Sequence, residues 1–113
     1  MAATTKLYKK VVKDDTTASL TTLFTCPAGK TCLLLSLLIA SKSASGVDVT
    51  VRLTDSATGK QIYWLKDVNL PQGSTLNGLP EGKVVLQPGD IIQVMTSITT
   101  TADMTLSYIE DVN

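Results

Sequence analysis

The most regular pattern in the chain is Val47-Asp-Val-Thr-Val-Arg-Leu53, in which Val47, Val49, Val51 and Leu53 alternate with Asp48, Thr50 and Arg52. Period two puts the four apolar side chains on one face of an extended strand. Burying each contributes about 1.5–3 kcal/mol before the entropy of ordering the strand is subtracted. Turn chemistry frames the segment. Ser41-Lys-Ser-Ala-Ser-Gly46 precedes it, and Asp55-Ser-Ala-Thr-Gly-Lys60 follows, with Gly59 able to take positive φ cheaply.

The same alternation recurs on either side. From Lys6 to Val12, Leu7, Lys9 and Val11 alternate with Tyr8, Lys10 and Val12; Ala18 to Thr25 is a second strand candidate, with Asp14-Asp15-Thr16-Thr17 as the turn between them. Gln61 to Val68 carries Ile62, Tyr63, Trp64 and Leu65 and is broken by Leu70-Pro71-Gln72-Gly73, because Pro71 has no ladder donor. A short strand at Ser74 to Leu79 follows, then Val84 to Gln87. Past a Pro88-Gly89-Asp90 turn comes Ile91 to Ile98, with Ile92, Val94 and Ile98 on one parity. Thr99 to Asp103 reads as a polar loop, and Met104 to Glu110 as a last strand with Met104, Leu106 and Tyr108 on one side.

Thr31-Cys-Leu-Leu-Leu-Ser-Leu-Leu-Ile-Ala40 is either a buried strand or, on leucine's helix propensity, a short helix. Its length and flanking turns favour a strand covered on both faces. Short β-branched runs ending at Gly, Pro, Asp or Ser clusters about every ten residues are the spacing of an all-β sandwich or barrel. The expected fold is all-β: a single antiparallel β-sandwich, jelly-roll or Ig-like, of about 7–9 strands. With 113 residues the chain fits one domain, 1–113, in which 1–17 is an N-terminal arm or an edge strand.

Charge changes the picture by exclusion. Ten Lys plus Arg balance ten Asp plus Glu, so no long-range field favours nucleic acid, an anionic membrane or an acidic substrate. The apolar run Cys32–Ala40 is too short to cross a bilayer of about 30 Å as a helix, and no signal-peptide core follows Met1–Lys6, so the expectation is a product made in the cytosol, with neither membrane nor nucleic acid as partner.

Candidate chemistry is thin. There is no histidine, which excludes a Ser-His-Asp arrangement around Ser36 or Ser97. Cys26 and Cys32 alone do not complete a four-ligand zinc site; on opposite arms of a hairpin they would lie close enough for a disulfide, but in a cytosolic product they read as reduced, small, partly buried hydrophobes. Asp14 with Asp15 reads as a solvated turn, and Glu110 with Asp111 as exposed charges at a strand end. The expectation is therefore no enzyme, no cofactor and no metal. Two features point to contacts instead. Leu7, Tyr8, Lys9, Lys10 and Val11 form either an edge strand guarded by lysines or an arm that lies on a neighbour. Tyr63 and Trp64, adjacent on a strand, face opposite sides, so they are either one buried and one partly exposed ring of the sandwich, or one of them meets a partner or, alternatively, a carbohydrate.

Thr25-Cys-Pro-Ala-Gly-Lys-Thr31 ahead of an apolar strand, Leu70-Pro-Gln-Gly-Ser-Thr-Leu76, and Val84-Val-Leu-Gln-Pro-Gly-Asp-Ile-Ile-Gln-Val94, in this order, resemble the "xPAGKT", "LPxGSTL" and "xLxPGDxIxV" turns of small β-sandwich virion proteins of tailed bacteriophages. The resemblance runs from about Thr25 to the C-terminus and is weaker over the first twenty residues. It implies a virion structural protein assembled in the host cytoplasm, foremost a capsid decoration or cement protein. It also implies contact with the major capsid protein or other virion proteins and a homo-oligomer, with a trimer favoured. Tail, neck or fibre components and a host-surface or carbohydrate-binding module are the alternatives.

Overall fold

The computed structural model describes residues 5–13, 18–42, 44, 46–79, 84–98 and 102–112. Its strands are β1 (Thr5–Lys13), β2 (Thr21–Thr25), β3 (Thr31–Ser41), β4 (Val47–Thr54), β5 (Gln61–Leu70), β6 (Thr75–Asn77), β7 (Val84–Leu86), β8 (Ile91–Thr96) and β9 (Ala102–Val112). The antiparallel pairings nest: β4 with β5, β3 with β6 and β7, β2 with β8, β1 with β9. This is one long hairpin ribbon, and rolling it on itself adds the pairs β4–β8 and β3–β9. Two sheets result, a front sheet β1-β9-β3 with β6 and β7 along its far edge, and a back sheet β2-β8-β4-β5. Counting β6 and β7 as one interrupted strand gives the eight-stranded double Greek key of a jelly roll, which decides between the two sandwich topologies left open by the sequence.

The core lies between the sheets and follows strand parity. Val47, Val49 and Val51 of β4, Ile92, Val94 and Thr96 of β8, and Ala102, Met104, Leu106 and Tyr108 of β9 all turn inward. The Phe24 and Tyr108 rings meet across the sandwich at 4.5 Å. In β3 the inward residues are Cys32 and Leu34, then Leu37 and Ile39. The parity changes because a bulge between Leu34 and Ser36 inserts one residue against β9. The Leu-rich segment is thus a strand, but it is covered on one face only: Leu38 is 49% exposed, since among the described residues no third layer packs outside the front sheet.

Three further expectations need correction. Ile98 does not join the inward row of Ile92 and Val94, because β8 ends at Thr96. There the Ser97 amide donates to the Asp48 carbonyl (2.8 Å) and the Thr96 hydroxyl to the Ile98 carbonyl (2.8 Å), turning the chain and leaving Ile98 exposed. Asp103 belongs to β9 rather than to a loop. Thr50, on the polar parity of β4, is buried because β5 bulges twice opposite it and Asp67, at φ 51°, brings its amide to the Thr50 hydroxyl (3.2 Å). The turns expected at Asp14–Thr17 and Pro80–Lys83 lie outside the described residues, as does most of Thr99–Asp103.

Two positions fix the turns. Gly78 donates its amide to the Leu37 carbonyl (2.8 Å), and a Cβ there would sit 2.8 Å from Leu37 Cδ2 and 2.9 Å from Ile39 Cδ1, both fully buried side chains. Gly78→Ala is expected to cost about 1–3 kcal/mol through overpacking, read from the midpoint of urea unfolding; an unchanged midpoint would show that the core yields there. Asp90, 4% exposed, accepts from the Ser56 amide (2.8 Å), the Ser56 hydroxyl (2.9 Å) and the Gln87 amide (2.9 Å), tying the β4–β5 turn to the β7–β8 turn. Burial pushes this carboxyl up, but the three donors outweigh it and hold it below its ordinary 3.8. A depressed folded pKa stabilises the fold above the ordinary value, and that stabilisation is lost as pH falls through the folded pKa. Asp90→Ala should cost about 1–3 kcal/mol at pH 7 by orphaning these donors, and the gap from the parent should narrow in acid titrations well below pH 3.8.

Candidate functional site: the outer face of the front sheet and its free edge

Residues paired across neighbouring strands share a face, so the register lays out the surface of the front sheet. Tyr8 pairs with Ile109, Ile109 with Leu33, and Leu33 with Val85. These four side chains, from β1, β9, β3 and β7, make an apolar row across the sheet, about 15 Å wide at a strand spacing of about 4.8 Å. A second row runs Val12, Thr105, Leu38 and Asn77. Between the rows lie Lys10, Ser107 and Ser36, and the β3 bulge places Leu35 beside them. Tyr8, Lys10, Leu35 and Ser107 bound a shallow groove of about 360 Å³. Tyr8 at 78%, Val12 at 66% and Val85 at 55% are among the most exposed large apolar side chains described.

The outer face of the back sheet is different in kind. Gln93 Oε1 accepts from Arg52 Nε (3.0 Å), Arg52 Nη2 (2.6 Å) and Thr54 Oγ1 (3.2 Å), while Arg52 Nη1 donates to Gln61 (3.2 Å). The middle of that face is a hydrogen-bonded polar network, with Ile91, Met95 and Tyr63 around it, whereas the front sheet carries a continuous apolar row.

The edges differ as well. β1 pairs with β9 over Thr5 to Lys13 without a register shift, and among the described residues no strand is hydrogen-bonded to its other side. Among the other edge strands, β5 carries two register shifts and the left-handed Asp67, β2 has five residues and a shift, and β6 and β7 have three residues each. Bulges and shortness are how sheets blunt an edge; β1 has only its lysines.

One of those lysines is already committed. Glu110 continues the inward parity of β9 and is 6% exposed, and Lys9 Nζ lies 2.9 Å from its Oε2. The reading of Glu110 as an exposed strand-end charge is therefore corrected. The hydrogen bond to Glu110 raises the Lys9 pKa above its ordinary value. Of the proposed contact residues, Tyr8 and Lys10 face outward, Val11 packs against the core, Lys9 neutralises Glu110, and Leu7 is described only through its backbone pairing with Glu110. Tyr63 and Trp64 do face opposite ways: Trp64 packs on the core, and Tyr63 lies on the back sheet, away from the apolar rows. The Lys66 ammonium sits 4.6 Å from the Tyr63 ring centroid and the Arg52 guanidinium 5.9 Å, so cations already occupy the ring that a sugar would stack on.

Sequence reasoning missed Leu33, Leu35, Leu38, Val85 and Ile109 as surface residues. The available signal was that Cys32–Ile39 is apolar on both parities, although only one face of a sandwich strand meets the core.

No protein-family model matches the chain, and no curated protein is similar to it in sequence. Solved structures are similar in fold. A subunit of Bacillus endospore appendages, described as a family of disulfide-linked pili, matches with a TM-score of 0.60 and 12% identity over 99% of this chain and 93% of that one. The infectious bursal disease virus VP2 subviral particle matches with a TM-score of 0.57 and 12% identity, over 97% of this chain and 33% of that one. The T13 particle of the same virus gives a TM-score of 0.57 at 10% identity, over 96% and 31%. This chain thus spans about a third of those viral chains and nearly all of the pilus subunit. At these identities the likeness is one of fold: a jelly-roll sandwich of the kind found in viral capsid and pilus proteins.

Proposed function

We propose that this chain is a non-catalytic structural subunit of a multi-copy assembly, docking through the outer face of the front sheet and the β1 edge. The observation that carries this reading is the apolar row Tyr8, Ile109, Leu33 and Val85 across the front sheet, with the exposed Val12 and Leu38 further along the same face, whereas the middle of the other sheet's outer face is a hydrogen-bonded polar network. Apolar side chains gathered on one face of a small domain mark a contact surface. Many copies, each burying on the order of 1,000–2,000 Å², would give an assembly strength that no single contact supplies.

The finer reading is a virion protein of a tailed phage that decorates or cements the head shell. The ordered turn motifs from Thr25 onward support it, and the jelly-roll frame is compatible with it. A filament subunit is the second reading, favoured by the match that spans nearly the whole of both this chain and a pilus subunit. Light scattering and negative-stain microscopy of the purified protein test the common part. Concentration-dependent, ordered oligomers are expected, and a strict monomer at about 100 times a typical micromolar interface Kd would overturn self-assembly. Long filaments would select the second reading, and immunogold label on phage heads the first.

A further inference from the structure

We propose that Cys26 and Cys32 are a dithiol that closes into a disulfide bridging the two sheets when the chain meets a small disulfide oxidant such as oxidised glutathione. This inference stands apart from the assembly reading and rests on where the two sulfurs lie. Cys26 follows β2 and is still held to the back sheet: its amide donates to the Asp90 carbonyl (2.8 Å) and its carbonyl accepts from Gly89 (2.9 Å). Cys32 is the second residue of β3, opposite Glu110 and Leu86 in the front sheet. The turn between them, closed by the Lys30 amide on the Pro27 carbonyl (3.2 Å) with Gly29 at φ 73°, carries the chain from one sheet to the other. The side chains therefore meet inside the sandwich, with Sγ 3.5 Å from Sγ and at most 1% of either residue exposed.

Both thiols are free. A disulfide has its sulfurs about 2.05 Å apart, so closure needs a movement of about 1.5 Å between residues already side by side. Two isolated buried cysteines would serve as small hydrophobes; two in mutual contact, one anchored on each sheet, hold a latent cross-link.

The order of events follows from the surroundings. Burial pushes both thiols up, the Cys32 thiol to about 12, while hydrogen bonds from the Cys32 thiol and amide partly offset the rise at Cys26. Cys26, at the end of the exposed turn Pro27-Ala28-Gly29, is the thiol that opening of that turn brings to the oxidant. Its thiolate attacks the oxidant RSSR, forming a mixed disulfide and releasing RS⁻, which takes up a proton as RSH. Cys32 then loses its proton, and its sulfur attacks Cys26 Sγ and expels the second RS⁻, which is likewise protonated. In sum, two protein thiols and RSSR give one protein disulfide and two RSH. Because neither sulfur is accessible in the closed fold, the rate is set by opening of the exposed turn at Pro27-Ala28-Gly29.

The test uses the reduced, purified full chain incubated with excess oxidised glutathione at mildly alkaline pH, then alkylated under denaturing conditions. Mass spectrometry should find the chain lighter by two hydrogens, with a peptide linking Cys26 to Cys32 and no alkylated thiol. The bridged form should melt about 10 °C higher than the reduced form. Unreacted thiols, stable glutathione adducts or bridges between chains would each overturn the proposal, as would a bridged form that melts no higher. Cys32→Ser should stop at the mixed disulfide on Cys26; all the decisive readings come from the unsubstituted chain, so they do not depend on that variant folding.

Discussion

Deleting residues 1–13 is expected to unfold the domain, with loss of the cooperative thermal transition at 25 °C, rather than to release an independent sandwich. β1 pairs along β9 from Thr5 to Lys13, Val11 packs on the core, and Lys9 neutralises the buried Glu110. Removing the strand strips three kinds of interaction at once and leaves a carboxylate inside the fold without its partner. Orphaning a buried charge is itself costly, and the total stability of a domain is only about 5–15 kcal/mol. Far-UV circular dichroism during heating reads the result. If the truncated chain melts within about 3 °C of the parent, a shift worth about 0.7 kcal/mol, β1 contributes little to its own sheet and the segment acts as an arm. A finer variant isolates the charge: Lys9→Met keeps the strand but should lower Tm, and adding Glu110→Gln should restore much of the loss. The pH dependence has a definite sign. Because the folded pKa of Lys9 is raised above 10.5, its contribution is complete below that value and disappears as pH rises through the folded pKa. The parent should therefore lose stability at the alkaline limit more steeply than the double variant.

The second large effect is expected on assembly and not on folding. Tyr8→Glu with Val85→Asp places two carboxylates at the ends of the apolar row, at positions already more than half exposed. Such surface changes shift stability by about 0.5 kcal/mol or less each. Desolvating those charges in an interface without partners costs several kcal/mol, so self-association should weaken by about 100-fold or more, with circular dichroism and melting temperature nearly unchanged. Concentration-dependent light scattering decides it. A double variant that assembles like the parent would remove the outer face from the contact. Tyr63→Ala on the opposite sheet is the control, expected to leave assembly intact.

Much of the strand layout was legible in the sequence because its causes are local. Steric period two sets which residues of β4, β8 and β9 face inward, and proline, glycine and Asp-Ser turns set where strands stop. The Leu-rich β3 was also legible as a strand, from its length and the turns at both ends. What alternation does not carry is a change of parity inside a strand. The bulge at Leu34–Ser36 arises from pairing with β9, some seventy positions away, and so has no local signature.

Of the candidate site, Tyr8 and Lys10 were visible in advance as members of an exposed, lysine-guarded strand. The rest was not, because Leu33, Val85 and Ile109 become one surface only when β3, β7 and β9 lie side by side. By itself the sequence determined that this is an all-β sandwich of short alternating strands, with no histidine to support acid–base chemistry and with charges that cancel. Only the tertiary structure decided that the sheets close as a rolled hairpin, that Glu110 points inward and meets Lys9, that Cys26 and Cys32 touch across the sheets, and that an apolar row crosses one outer face. The physical reason is that strand formation answers to neighbours along the chain, whereas sheet order, burial and surface character answer to which distant strands are brought together when the apolar faces leave water.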